Sequence, residues 1–135
     1  MATAYTIDFY QNLGKLFYAI AASDKVVRQE EQDKLKDIVK KDWMSSNLIE
    51  ESLKKDAEAS ILNTFNWLEN DKEYDAETCY NSFITFKKEN EDLFTTQVNS
   101  LIIKTANAIA HAFSGINKQE LILVTKLKLE LNKIN

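Results

Sequence analysis

Ala19-Ile20-Ala21-Ala22-Ser23-Asp24-Lys25-Val26-Val27-Arg28-Gln29-Glu30-Glu31 aligns without a gap on Ala108-Ile109-Ala110-His111-Ala112-Phe113-Ser114-Gly115-Ile116-Asn117-Lys118-Gln119-Glu120. Glu31 falls on Glu120, an offset of 89 residues that holds along the whole stretch. Each copy reads as the end of an alanine-rich helix, a tight turn, one aliphatic plug (Val27 or Ile116), and a helix that starts near a glutamate. Two such helix-turn-helix units near the two ends of one small chain predict an all-α, compact helical domain of five to seven helices with an internal duplication. The alanines let the two repeat helices approach closely, because the side chains between helix axes set their separation.

Composition supports the same class. The chain has 135 residues, no Pro and two Gly, at Gly14 and Gly115. Tight hairpins and irregular loops depend on those two residues, so their scarcity favours helices joined by short turns. The length suits one domain, 1–135, which buries roughly two thirds of its unfolded surface without disulfide or metal support. Cys79 is the single cysteine, and its helical neighbours Ala76, Tyr80 and Phe83 make it a buried, inert thiol.

The apolar periodicity lays out the elements. Phe9, Leu13, Leu16, Phe17 and Ile20 share one face of a first helix over about 6–22, and Gly14 inside it points to close packing against a second helix. A second helix over about 29–42 turns Leu35, Ile38 and Val39 inward, and Trp43 and Met44 close it. Asn47 and Glu50 have capping-box spacing for a third helix, which continues to Leu68 on the stripe Ile49, Leu53, Ala57, Ile61, Phe65 and Leu68, with a break near Asp56 as the alternative. Glu69 to Asp75 reads as a polar loop, with Asp75 the N-cap of a fourth helix over 76–88. A fifth helix over 96–113 ends at Ser114-Gly115. A sixth over 118–132 opens with Asn117 and Glu120 as a capping box and is apolar on most sides, which suits a central position or an oligomer contact. Phe17, Ile20, Val27, Leu35, Ile109, Ile116 and Val124 are the expected core.

The segment Ala21-Ala22-Ser23-Asp24-Lys25-Val26-Val27-Arg28-Gln29-Glu30-Glu31 resembles the signature of the tellurite-resistance TerB-like family, a domain type also found at the N-terminus of a DnaJ-like co-chaperone. Asp24, Val27 and Glu31 stand at the family's acid, aliphatic and glutamate, and Ile116 and Glu120 match in the second copy. The likeness covers about thirty residues at each end. It implies a compact duplicated helical domain, a role in stress response, and divalent-metal binding through acidic residues. The chain departs from the pattern at Lys25, where the family has Gly, and at Phe113 and Ser114, where the second copy would carry Asp and Gly.

For function, composition mostly excludes. A net charge of −4 and a pI near 5.1 leave no basic stripe for a phosphate backbone, so no nucleic-acid partner is expected. No apolar run approaches the ~20 residues of a membrane span. The first residues lack a basic and apolar leader pattern, so a cytoplasmic location is expected. There is no His-Glu-x-x-His arrangement, nucleophile elbow or Gly-rich phosphate loop, and the expected answer is no enzyme. Glu69, Asp71, Glu73, Asp75 and Glu77 alternate like a calcium loop, but counting from Asp71 puts Ala76 and Ser82 where glycine and glutamate are needed. His111 is the single histidine and reads as a satisfied or surface residue. One histidine and one cysteine do not make a zinc set, so no cofactor is expected; if a divalent cation binds, Asp24 and Glu31 are its ligands. The expected role is a non-catalytic protein-interaction or sensing module, with a divalent-metal-binding stress protein as the alternative. The partner is expected to be a protein, and self-association to use the last helix or whichever of the surplus aromatics Trp43, Trp67, Phe65, Tyr5, Tyr10, Tyr18, Tyr74 and Phe94 are exposed.

Overall fold

A computed structural model of the chain describes residues 5–23, 27–46, 49–71, 74–112 and 118–132. The described residues form six α-helices and no strand: α1 (Ile7–Ala21), α2 (Gln29–Ile38), α3 (Lys54–Asp71), α4 (Ala76–Glu89), α5 (Thr96–Ala110) and α6 (Lys118–Leu131). A π-helical turn, Val39–Trp43, extends α2, and 3₁₀ turns at Glu51–Leu53 and Glu91–Leu93 precede α3 and α5. The helix bounds themselves repeat at the offset of the alignment. Ile7 and Thr96 open α1 and α5, Ala21 and Ala110 close them, and Gln29 and Lys118 open α2 and α6.

α1 is the centre of the domain. It packs on α3 and α4 along one side and meets α5 and α6 on the other. A helix enclosed this way must be apolar nearly all round. Accordingly Phe9, Tyr10, Leu13, Leu16, Phe17, Tyr18, Ile20 and the alanines from Ala19 to Ala22 are all buried. α2 packs on α5, and α6 packs on α5 and α1.

Gly14 sets the α1–α3 distance. A Cβ at this position would lie 2.7 Å from the Ile61 carbonyl oxygen and 2.8 Å from Thr64 Cβ. Only glycine lets the backbones approach so closely there. On the other side of α1, the π turn rotates Trp43 into the core, with Met44 N–H donating to the Val39 carbonyl at 3.0 Å. The Trp43 indole meets Phe17 edge-on at 6.3 Å, and its N–H donates to Thr105 Oγ1 on α5 at 2.9 Å. The Thr105 hydroxyl in turn donates to the Leu101 carbonyl oxygen at 2.8 Å, so this buried polar pair is satisfied throughout.

The expected core is largely the observed one: Phe17, Ile20, Leu35, Ile109 and Val124 are buried. Val27 is a correction, being only partly buried against the core edge. Ile116 lies outside the described residues, as do Asn47 and Asn117 of the two expected capping boxes. α3 also differs from expectation. It starts at Lys54 rather than near Asn47, and runs through Glu69 and Asn70 to Asp71 rather than stopping at Leu68. Nothing in Glu69-Asn70-Asp71 breaks a helix, and polar residues on its exposed end cost little. Leu53 is exposed in the 3₁₀ turn that precedes α3, while Ile49 is buried as expected. α5 ends at Ala110, short of the expected 113, with His111 as its C-cap. Asp75 caps α4 as expected, accepting the Thr78 N–H at 2.7 Å.

Candidate functional site

The acidic residues singled out in the sequence lie at the starts of α2 and α6. Asp24 falls outside the described residues. Glu31 occupies the first turn of α2 and is 1% exposed. Its Oε1 accepts the Arg28 backbone N–H at 2.9 Å, closing the helix start. The Arg28 side chain folds over the same carboxylate, with Nη1 3.9 Å from Glu31 Oε1. The same Nη1 lies 3.8 Å from Oε2 of Glu120, in the first turn of α6 and also 1% exposed.

The two glutamates that the repeat equates therefore converge on one guanidinium. Each carboxylate also sits near the positive end of its own helix, where negative charge is favoured. Arg28 is a fixed, always protonated cation with several donors, so it bridges two acids that would otherwise repel. The chemistry this arrangement offers is structural: it ties the start of α2 to the start of α6. Among the described residues, no group of three or more His, Cys, Asp or Glu side chains is arranged to hold a metal ion.

The remaining candidates are distributed over the surface. His111 is exposed, and its Nδ1 lies 2.8 Å from the Asn107 carbonyl oxygen. Of the alternating acids, Glu69 and Asp71 belong to the last turn of α3, Asp75 is a cap, Glu77 is exposed in the first turn of α4, and Glu73 lies outside the described residues. Cys79 is buried, and burial pushes its thiol up to about 11 against a weaker opposing pull from Lys15. A thiol held protonated in this way is a poor nucleophile at neutral pH.

Two apolar features face solvent. Trp67 near the end of α3 is 54% exposed and lies beside Tyr74, with ring centroids 5.8 Å apart and the planes tilted. On α6, Val124, Leu127 and Leu131 point into the core, whereas Ile122 and Leu129 are 60% and 66% exposed. Seven residues separate Ile122 from Leu129, which puts them two turns apart on one outer face.

Sequence reasoning missed the Arg28–Glu120 contact, because Glu120 has a local explanation as a partner of Asn117. The signal that could have found it is the repeat itself, which makes Glu120 the counterpart of Glu31. No helix is long and apolar enough to cross a membrane among the described residues. Comparison with protein-family models, curated proteins and solved structures finds no significant match to the chain.

Proposed function

We propose that the chain is a non-catalytic, TerB-like helical domain that serves as a protein-interaction or sensing module in a stress response. Its internal helix-turn-helix duplication is supported by helix bounds that repeat at one offset in both copies. The observation that carries the interaction reading is the outer face of α6, where Ile122 and Leu129 stand exposed beside the buried Val124, Leu127 and Leu131. A helix needs one apolar stripe to dock on its own core, and α6 adds two large exposed apolar side chains outside that stripe. The state of the reactive groups supports a non-catalytic role. The thiol of Cys79 is buried and protonated, and the His111 ring is engaged by its own helix end.

The alternative, a divalent-metal-binding stress protein using Asp24 and Glu31, draws support from the convergence of Glu31 and Glu120 on one cationic group. A metal ion there competes with Arg28 for both carboxylates, which favours the interaction reading.

The test replaces both exposed residues, Ile122→Lys with Leu129→Lys. Surface changes of this kind leave stability within about 0.5 kcal/mol. Light scattering of the purified protein and capture of partners from cell extract are then compared with the unmodified chain. An association present in the unmodified protein and lost in the double variant supports the reading. Equal association in both, or none in either, overturns it.

A further inference from the structure

We propose that the cleft between α1, α3 and α4 binds a small aromatic carboxylate, with its ring against Trp67 and Tyr74 and its carboxylate on Lys15. The cleft consists of two adjoining depressions. One, of about 250 Å³, is walled by Trp67, Leu68 and Tyr74 and floored by Lys15, Cys79 and Ser82. The other, of about 320 Å³, is lined by Gln11, Asn63 and Thr64 and shares Lys15 and Trp67 with the first. The first is slightly below the roughly 300 Å³ at which drug-sized sites begin, which suits a single ring with a short acidic arm.

Charge and donor count select the anion. Lys15 is half-buried, and its one polar partner among the described residues is Ser82 Oγ, at 3.3 Å. An ammonium has three donors and no acceptor, so Lys15 has donors to spare at the junction of the two depressions. A carboxylate placed there takes a charge-assisted hydrogen bond in a partly desolvated setting, where such bonds are strongest. α3 carries Asp56, Glu58, Glu69 and Asp71, and α4 carries Glu77 and Glu89 with Asp75 as its N-cap, and none of these lines either depression. Asp75 is already engaged by the Thr78 N–H, and Cys79 carries no charge at neutral pH. The first turn of α4, with Thr78 and Cys79, brings the positive end of a 14-residue helix to the same rim.

The exposed aromatic pair supplies the apolar wall. Trp67 and Tyr74 are tilted by 38° rather than stacked flat, leaving a wedge that a third ring fills. The close approach of α1 to α3 at Gly14 sets the floor, because Lys15 follows Gly14 and Trp67 lies one turn beyond Thr64. The cleft uses elements other than α6, so its occupancy is independent of the interaction face proposed above.

Two tryptophans make the test direct. The ¹⁵N-labelled full chain gives two indole N–H signals, one from the buried Trp43 and one from the exposed Trp67, assigned with Trp67→Phe. Sodium phenylacetate is the probe. A saturable shift of the Trp67 signal with Trp43 unmoved is the expected result. Phenylacetamide, of the same shape without the charge, should bind at least about tenfold more weakly, since a hydrogen bond to a charged group contributes that much. Lys15→Met should weaken phenylacetate binding by a similar factor. No saturable shift of Trp67, equal affinity for acid and amide, or unchanged affinity in Lys15→Met would each overturn the proposal. The amide comparison stands even if Lys15→Met fails to fold.

Discussion

Gly14→Ala is the sharpest probe of how this domain is assembled. In most exposed helices the change is stabilising, because Ala is the better helix former by about 0.8–1.0 kcal/mol. Here the new Cβ would lie 2.7 Å from the Ile61 carbonyl oxygen and 2.8 Å from Thr64 Cβ. Ordinary contacts of carbon with oxygen or carbon fall at roughly 3.3–4.0 Å, so the shortfall is about 0.6 Å or more. The Ile61 oxygen belongs to the backbone of α3 and cannot rotate away. α1 and α3 must therefore part along their length, and a gap of about 0.5–1 Å forfeits a quarter to a half of each contact it opens. Overpacking costs about 1–3 kcal/mol, and a clash with fixed backbone falls in the upper part, about 2–3 kcal/mol, of which the propensity gain offsets about 0.8–1.0 kcal/mol. We expect a net loss of about 1–2 kcal/mol, read as a lower urea midpoint at unchanged slope. With an unfolding entropy of about 2.1 cal/mol/K per residue over 135 residues, the melting temperature falls by about 4–7 °C. Ser100→Ala, on an exposed face of α5, is the control and should not destabilise. A Gly14→Ala protein as stable as the parent would refute the close-approach argument and the central position of α1.

Other expectations follow from the buried polar groups. Arg28→Met leaves Glu31 and Glu120 facing each other without the guanidinium and should cost about 3 kcal/mol in chemical denaturation, at the low end for a broken buried pair because Arg28 is 25% exposed. Lys104→Met, which removes the surface pair with Asp42, should cost less than about 1 kcal/mol in the same assay. Thr105→Val strands the Trp43 indole N–H and should cost about 1–3 kcal/mol, with a shift in the near-UV signal of the buried indole. Stability should also decline in alkali. Burial raises the Cys79 thiol from 9.0 to about 11 and the Tyr10 and Tyr80 phenols from 10.0 to about 12. The unfolded chain then loses these protons first, so the contribution is intact below about pH 9 and is lost as pH rises through about 12. Denaturation midpoints measured from pH 8 to pH 12 should fall steadily, and a flat profile would contradict the burial of these groups.

The parts of the fold legible in sequence were those written in local patterns. The stripe Phe9, Leu13, Leu16, Phe17, Ile20 has a helical period, and Asp75 before Ala76 is a cap by its side-chain chemistry alone. Gly14 inside an apolar helix announced a close approach, although nothing in the sequence named Ile61 and Thr64 as the partners. What stayed hidden depends on which elements the chain brings together. Glu120 meets Arg28 on an element far away in sequence, while local spacing offered Asn117 as its companion. Trp43 reads as a helix terminus, and its burial rests on a π turn and on Thr105 across the core. Lys15 has no motif to single it out in sequence, and it lines a cleft only because α3 and α4 pack beside α1. Val27 shows the opposite error, since an aliphatic after a turn looks like a plug whether or not the turn sits at the edge of the core.

Calorimetric titration of the unmodified chain with Ca²⁺, Mg²⁺ and Zn²⁺ tests directly whether the helix-start carboxylates serve structure rather than hold a metal. Heats no larger than dilution are expected at micromolar metal, because Arg28 already holds Glu31 and Glu120. Micromolar binding that disappears in Asp24→Ala or Glu31→Gln would contradict the structural role and establish the metal-binding alternative.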